Sequence, residues 1–176
     1  MLNVSYYVKL KIMKKHLTLL LLLLIVSCSV NSQYKTITKK GITLKYPKSW
    51  KERNLKGHLI LVTEPLTKEW AVQATFDVEI HENEKDIKSF IENYKKDIVK
   101  NVNNFKILSE KEINFKGYKA VELICTGTVI SLPFKWESII MMKNGKLYKF
   151  TTTNMIGSFE IEKKTSEKIF NSIQIE

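Results

Sequence analysis

Few residues of the 176-residue chain have both the type and the spacing that chemistry needs. Asp77, Glu79 and His81 alternate along "TFDVEIH". A period of two places all three on one face of a strand, where two carboxylates and an imidazole could ligate a divalent ion. Strands of this kind ordinarily turn such a polar face to solvent or to a helix, so neither a metal nor a cofactor is expected. His58 and His81 are the histidines available as general bases, since His16 lies in an apolar leader. Ser158 stands in "IGSFE" rather than in a G-x-S-x-G elbow, and no glycine-rich loop suits a phosphate. Cys125 falls inside "VELICTGTV", an apolar run that predicts a buried, inert thiol. Trp50, Trp70 and Trp136 with Tyr46 could line an aromatic cleft, although each sits at a strand start or on an inward face, where core packing is the ordinary use. No catalytic residue is predicted.

The elements that would position these residues follow from hydrophobic period. "GITLKYP" alternates Ile42, Leu44 and Tyr46 and breaks at Pro47, and "HLILVT" is a short apolar strand. In "WAVQATFDVEI", Trp70, Val72, Ala74, Phe76, Val78 and Ile80 alternate without a miss, which predicts a half-buried antiparallel strand. The period then lengthens: Ile87, Phe90, Ile91, Tyr94, Ile98 and Val102 predict an amphipathic helix from about Glu84 to Val102, capped by Asn83. Strand patterns return around Lys116-Gly117 and Asn144-Gly145, both hairpin signals because both positions tolerate positive φ. "SFEIEKKTSEKIFNSI" predicts a closing helix capped by Ser158. Strands, helix, two hairpins and helix give an α+β class, with a central antiparallel sheet sandwiched between helices.

The N-terminal stretch carries a different signal. Leu17 to Val26 is an apolar run of ten residues preceded by Lys14, Lys15 and His16. A bilayer span takes roughly 20 apolar residues, whereas the core of a signal peptide takes about 7–15. The run ends in Ile25-Val26-Ser27-Cys28, which resembles the lipobox of bacterial lipoproteins. The resemblance implies a diacylglyceryl group on the Cys28 thiol, cleavage just before it and acylation of the new amino terminus. Three segments follow: 1–27 as signal peptide, 28–33 as lipidated cysteine and polar tether, and 34–176 as the domain. Met13 offers a more compact start than Met1.

Charge narrows the partners. The formal net charge is +11, and about +7 without the four lysines of the leader. Arg53 is the only arginine, and recognition of bases and phosphates leans on arginine's planar fork, so nucleic acid is not expected. With Cys28 lipidated, Cys125 has no partner for an intramolecular disulfide.

Four stretches in order, "GITLKYPKSW", "KILSEKEINFKGYKAVEL", "NGKLYKFTTT" and "KIFNSIQI", resemble the PsbP-like (PsbP/DcrB-like) superfamily over roughly Tyr34 to Glu176. That resemblance implies an α-β-α sandwich and a non-catalytic docking or assembly-support role at a membrane. The expectation is a lipid-anchored cell-envelope protein on the exported side, with a membrane contact through Cys28 and a protein partner. The alternatives are a small-ligand or metal-binding carrier using the face around Asp77 and His81, and an envelope hydrolase using His58 or His81.

Overall fold

The computed structural model of the chain describes residues 33–64 and 74–176. The leader, Cys28, the tether as far as residue 32, and Trp70 to Gln73 lie outside the described residues.

Ten strands and two helices are present among the described residues. In chain order they are β1 (Tyr34–Lys39), β2 (Ile42–Pro47), β3 (Lys51–Arg53), β4 (Ile60–Thr63), β5 (Thr75–His81), α1 (Ile87–Ile98), β6 (Asn103–Phe115), β7 (Tyr118–Val129), β8 (Leu132–Lys143), β9 (Lys146–Met155), α2 (Ile156–Ser172) and β10 (Gln174–Ile175). Seven strands form one sheet in the order β3-β4-β5-β9-β8-β7-β6, and β1-β2-β10 form a separate small sheet. The strand pairings are antiparallel. The class is therefore mixed α and β with an antiparallel sheet and two helices, as the pattern predicts. The small sheet is an addition: β1 and β2 pair along their whole length, and Gln174 and Ile175 leave the helix to pair with Thr43 and Ile42.

Four tight turns join neighbouring strands, and each holds two consecutive residues at positive φ. Lys116-Gly117 (55° and 87°) and Asn144-Gly145 (50° and 74°) stand where the sequence places them. Lys40-Gly41 (46° and 75°) joins β1 to β2. Ile130-Ser131 (48° and 65°) joins β7 to β8 without any glycine, so it gives no turn signal in the sequence. Positive φ at both central residues matches the right-handed twist of the flanking strands.

Alternation along the strands separates two apolar clusters. Phe76 and Val78 of β5, Tyr148 and Phe150 of β9, and Ile139 and Met141 of β8 belong to one, together with Ile169 and Phe170 of α2 and Ile42, Leu44 and Tyr46 of β2. Leu147 of β9, Trp136 and Ile140 of β8, and Leu123 and Cys125 of β7 belong to the other, together with Phe90 and Ile91 of α1. β9 lies mid-sheet and is buried almost throughout, which accounts for its apolar and β-branched residues, interrupted at Lys149.

Both helix boundaries differ from the sequence expectation. α1 begins at Ile87 because Asp86, not Asn83, caps it: the Asp86 carboxylate accepts from Ser89 N at 2.7 Å and Ser89 Oγ at 3.1 Å. It ends at Ile98 rather than Val102, where the Asn101 and Val102 amides both turn back to the Ile98 carbonyl. α2 begins at Ile156, its cap residue Met155 offers no side-chain acceptor, and Ser158 lies inside the first turn. There the Ser158 hydroxyl donates back to the Met155 carbonyl at 3.3 Å instead of capping an amide.

Candidate functional site

β5 and its neighbours assemble the one group of charged residues that the sequence singled out. Asp77 and Glu79 are two apart on β5 and so share a face, opposite that of the buried Phe76 and Val78. His58 reaches them from the segment before β4. Gly57, at φ 92°, turns the chain there, and the His58 amide donates to the Leu55 carbonyl at 3.1 Å. The next residue, Leu59, donates to the Val78 carbonyl at 2.7 Å, which fixes the approach to β5. Lys149 arrives by register: it stands directly opposite Glu79 on β9, a cross-strand pair of opposite charge.

His58 Nδ1 lies 3.3 Å from Asp77 Oδ1 and 3.9 Å from Glu79 Oε1. Lys149 Nζ is 2.8 Å from the same Glu79 Oε1, and His81 Nε2 is 3.1 Å from the other oxygen, Oε2. The His81 ring packs 4.8 Å from Phe90 of α1, and Lys149 Nζ lies 5.1 Å from the centre of the Tyr94 ring. The imidazole and carboxylate ligand atoms of His58, Asp77 and Glu79 are all within 4.8 Å of one another. The expected trio Asp77, Glu79 and His81 thus shares one locus, but the mutually converging set contains His58, with His81 holding Glu79 from behind.

Burial sets the charges. Asp77 is nearly inaccessible, and that desolvation lifts its carboxyl above the ordinary range against the opposing His58 hydrogen bond and Lys149 charge. Burial would also lift Glu79, but the charge and hydrogen bond of Lys149 outweigh it and hold its carboxyl low. The hydrogen bond to Asp77 raises the His58 imidazole, burial pulling the other way. Beside this group a cleft of about 350 Å³ opens along α1, with Tyr94, Ile98, Trp136 and Phe134 as walls and Asp77 and Lys149 at its edge.

The other sequence candidates do not join this site. Cys125 is fully buried in the α1-side cluster, and burial pushes its thiol up to about 12, so it is no nucleophile at neutral pH. The aromatic residues are not one cleft: Tyr46 and Trp50 are buried in the cluster of α2, and Trp136 in that of α1. Trp70 lies outside the described residues. Among the described residues, no serine or cysteine is hydrogen-bonded to His58 or His81.

A family model described as PsbP-like protein matches residues 26–175. The chain belongs to the PsbP-like family. Solved structures share the fold at low identity. The solution structure of cyanobacterial PsbP (CyanoP) from Synechocystis sp. PCC 6803 superposes with a TM-score of 0.64 at 12% identity, over 85% of this chain and 96% of that one. LpqN of Mycobacterium tuberculosis, described as involved in cell envelope biogenesis, gives 0.59 at 10% identity, over 81% and 90%. A Pseudomonas aeruginosa protein of unknown function, PA94, gives 0.58 at 13% identity, over 82% and 99%. No curated protein matches the sequence significantly. The PsbP-like resemblance read from the four sequence stretches therefore holds, and it extends across the expected domain.

Proposed function

We propose that this PsbP-like protein is a lipid-anchored component of the cell envelope that docks a protein partner and transforms no substrate. The observation that carries the reading is the run from Lys14 to Cys28, basic then apolar then closed by Ile-Val-Ser-Cys, placed just ahead of a domain that starts at Tyr34. In this reading residues 1–27 are removed, Cys28 holds the acyl chains, residues 28–33 are the tether, and residues 34–176 form an α-β-α sandwich on the exported side. The membership of α1 and α2 in different apolar clusters supports a helix on each face of the sheet. The envelope role ascribed to LpqN supports the location. No helix among the described residues is long and apolar enough to cross a membrane.

Docking is favoured over hydrolysis by the incomplete chemistry around the histidines. His58 with Asp77 has the form of a base and its orienting carboxylate, and among the described residues no nucleophile that such a pair would activate is hydrogen-bonded to it. The test has two arms. Intact mass of the mature protein begins at Cys28 with added diacylglyceryl and acyl mass, and Cys28→Ala accumulates as uncleaved precursor. A mature terminus at Ser29 or later without lipid overturns the anchor. Esterase, peptidase and phosphatase screens of the full chain give no turnover; turnover lost in His58→Ala or His81→Ala overturns docking in favour of an enzyme.

A further inference from the structure

We propose that His58, Asp77 and Glu79 form a binding site for a divalent transition-metal ion of the zinc type, with His81 as the group that orients Glu79 and Lys149 as a displaceable internal counter-cation. This goes beyond the docking reading and does not depend on it.

The donor set decides the class of ion. One imidazole nitrogen and two carboxylate oxygens suit a borderline ion such as Zn²⁺, which binds nitrogen and oxygen donors at about 2.0–2.2 Å in a tetrahedron. Calcium asks for six to eight oxygens and magnesium for a near-ideal octahedron of oxygens, and neither suits a site with an imidazole and two carboxylates. Two donors on one tetrahedral ion at such bond lengths stand about 3.3–3.5 Å apart. The His58 Nδ1 to Asp77 Oδ1 separation is 3.3 Å, and that from His58 Nδ1 to Glu79 Oε1 is 3.9 Å. The three ligand atoms span up to 4.8 Å, wider than a tetrahedral ion allows, so the Glu79 carboxylate has to swing inward to close the set, leaving the fourth position open to water.

The supporting atoms are also those a metal site uses. A ligating carboxylate is ordinarily held by a hydrogen bond to its other oxygen. Glu79 is held in this way, since His81 Nε2 lies 3.1 Å from Oε2 while Oε1 faces His58. Two of the three ligands sit on one strand in mid-sheet, which fixes their spacing. His58 and His81 keep 23% and 32% of their side chains exposed, so an ion and its water reach the group from solvent.

Lys149 is the obstacle, and it makes the proposal testable. Its ammonium lies 2.8 Å from Glu79 Oε1, the oxygen a metal would take, so ion and ammonium compete for one site. The same ammonium already lies 5.1 Å from the centre of the Tyr94 ring, beside the cleft, so a shift away from Glu79 leaves it against that ring. On binding, the ion takes Glu79 Oε1, Lys149 withdraws toward Tyr94, and any proton on His58 Nδ1 or Asp77 is released to solvent.

The experiment is a zinc titration of the full chain in detergent, against a chromophoric chelator, with thermal unfolding read in parallel. Wild type binds one zinc and melts higher with it. His58→Gln and Asp77→Asn each weaken binding more than tenfold, and His81→Ala weakens it by about 10- to 100-fold as the residue behind a ligand. Lys149→Met tightens binding, a gain that a misfolded variant would not show. Zinc affinity unchanged in His58→Gln and Asp77→Asn overturns the site. So does Lys149→Met binding no tighter than wild type, or a wild-type chain that leaves all the zinc with the chelator.

Discussion

At the residue scale, the sheet carries charges whose ionisation opposes folding. Glu137 on β8 is half-buried, and that desolvation, with the charges of Glu122 and Glu167 nearby, raises its carboxyl above the ordinary value; Lys163 and Lys135 only partly offset this. A carboxyl whose folded pKa is raised binds its proton more tightly folded than unfolded. Its contribution to stability is fully present below the unfolded value of about 4.5 and is lost as pH rises through the folded one. Glu137→Gln has no proton to lose, so it should match wild type in urea melts near pH 4 and exceed it near neutrality. An equal gain at both pH values would assign the effect to packing instead. Apolar residues are read more simply. Phe76 is fully buried, with Phe170 of α2 edge-on at 5.1 Å, so Phe76→Ala should cost about 3–5 kcal/mol through lost burial and a cavity. Thr75→Ala, one residue away on the opposite face, should cost far less in the same denaturant melts.

At the scale of elements, what was legible depended on whether the signal was local. The strict alternation of Phe76, Val78 and Ile80 and the Asn144-Gly145 and Lys116-Gly117 turns have purely local causes, and the strands and hairpins they announce are present. The helix ends are less legible, because capping is decided by which side chain reaches an amide: the sequence points to Asn83, and it is Asp86 that meets the Ser89 amide. At the site, Asp77 and Glu79 were legible from period two, and His58 was not, because its approach depends on the pairing of Ile60 with Val78. The β7–β8 turn shows the converse, a structure with no sequence signal. Ile130 is β-branched, held at φ 48° and 90% exposed, so its side chain compensates little for the strain. Replacing Ile130-Ser131 by Asn-Gly should therefore stabilise the protein by about 1 kcal/mol, with an unchanged denaturant slope. A loss of stability would mean that Ile130 makes a contact worth more than its strain.

At the scale of the whole molecule, two forces could hold the protein at a membrane, and they differ in range. One is the basic excess, a net charge of about +7 once the four lysines of the leader are removed, which attracts anionic headgroups. The other is the proposed lipid on Cys28. Electrostatic attraction between exposed groups decays over about 8–10 Å at physiological salt and about 3 Å at 1 M, so washing in concentrated salt removes it. Burial of acyl chains, at about 0.8 kcal/mol per CH₂, does not weaken with salt, and two or more chains hold a protein stably. The wild-type protein should therefore stay with sedimented membranes through a 1 M salt wash and leave only with detergent. The same domain exported behind an ordinary cleavable leader, beginning at Ser29, should sediment partly at low salt and wash off as salt rises. Release of both proteins by salt would make the lysines the anchor, and the Ile25-Val26-Ser27-Cys28 sequence would then have no role in attachment. Retention of both would place a second membrane contact within residues 29–176, where the exposed Ile130 and Ile161 would be the first residues to replace by serine.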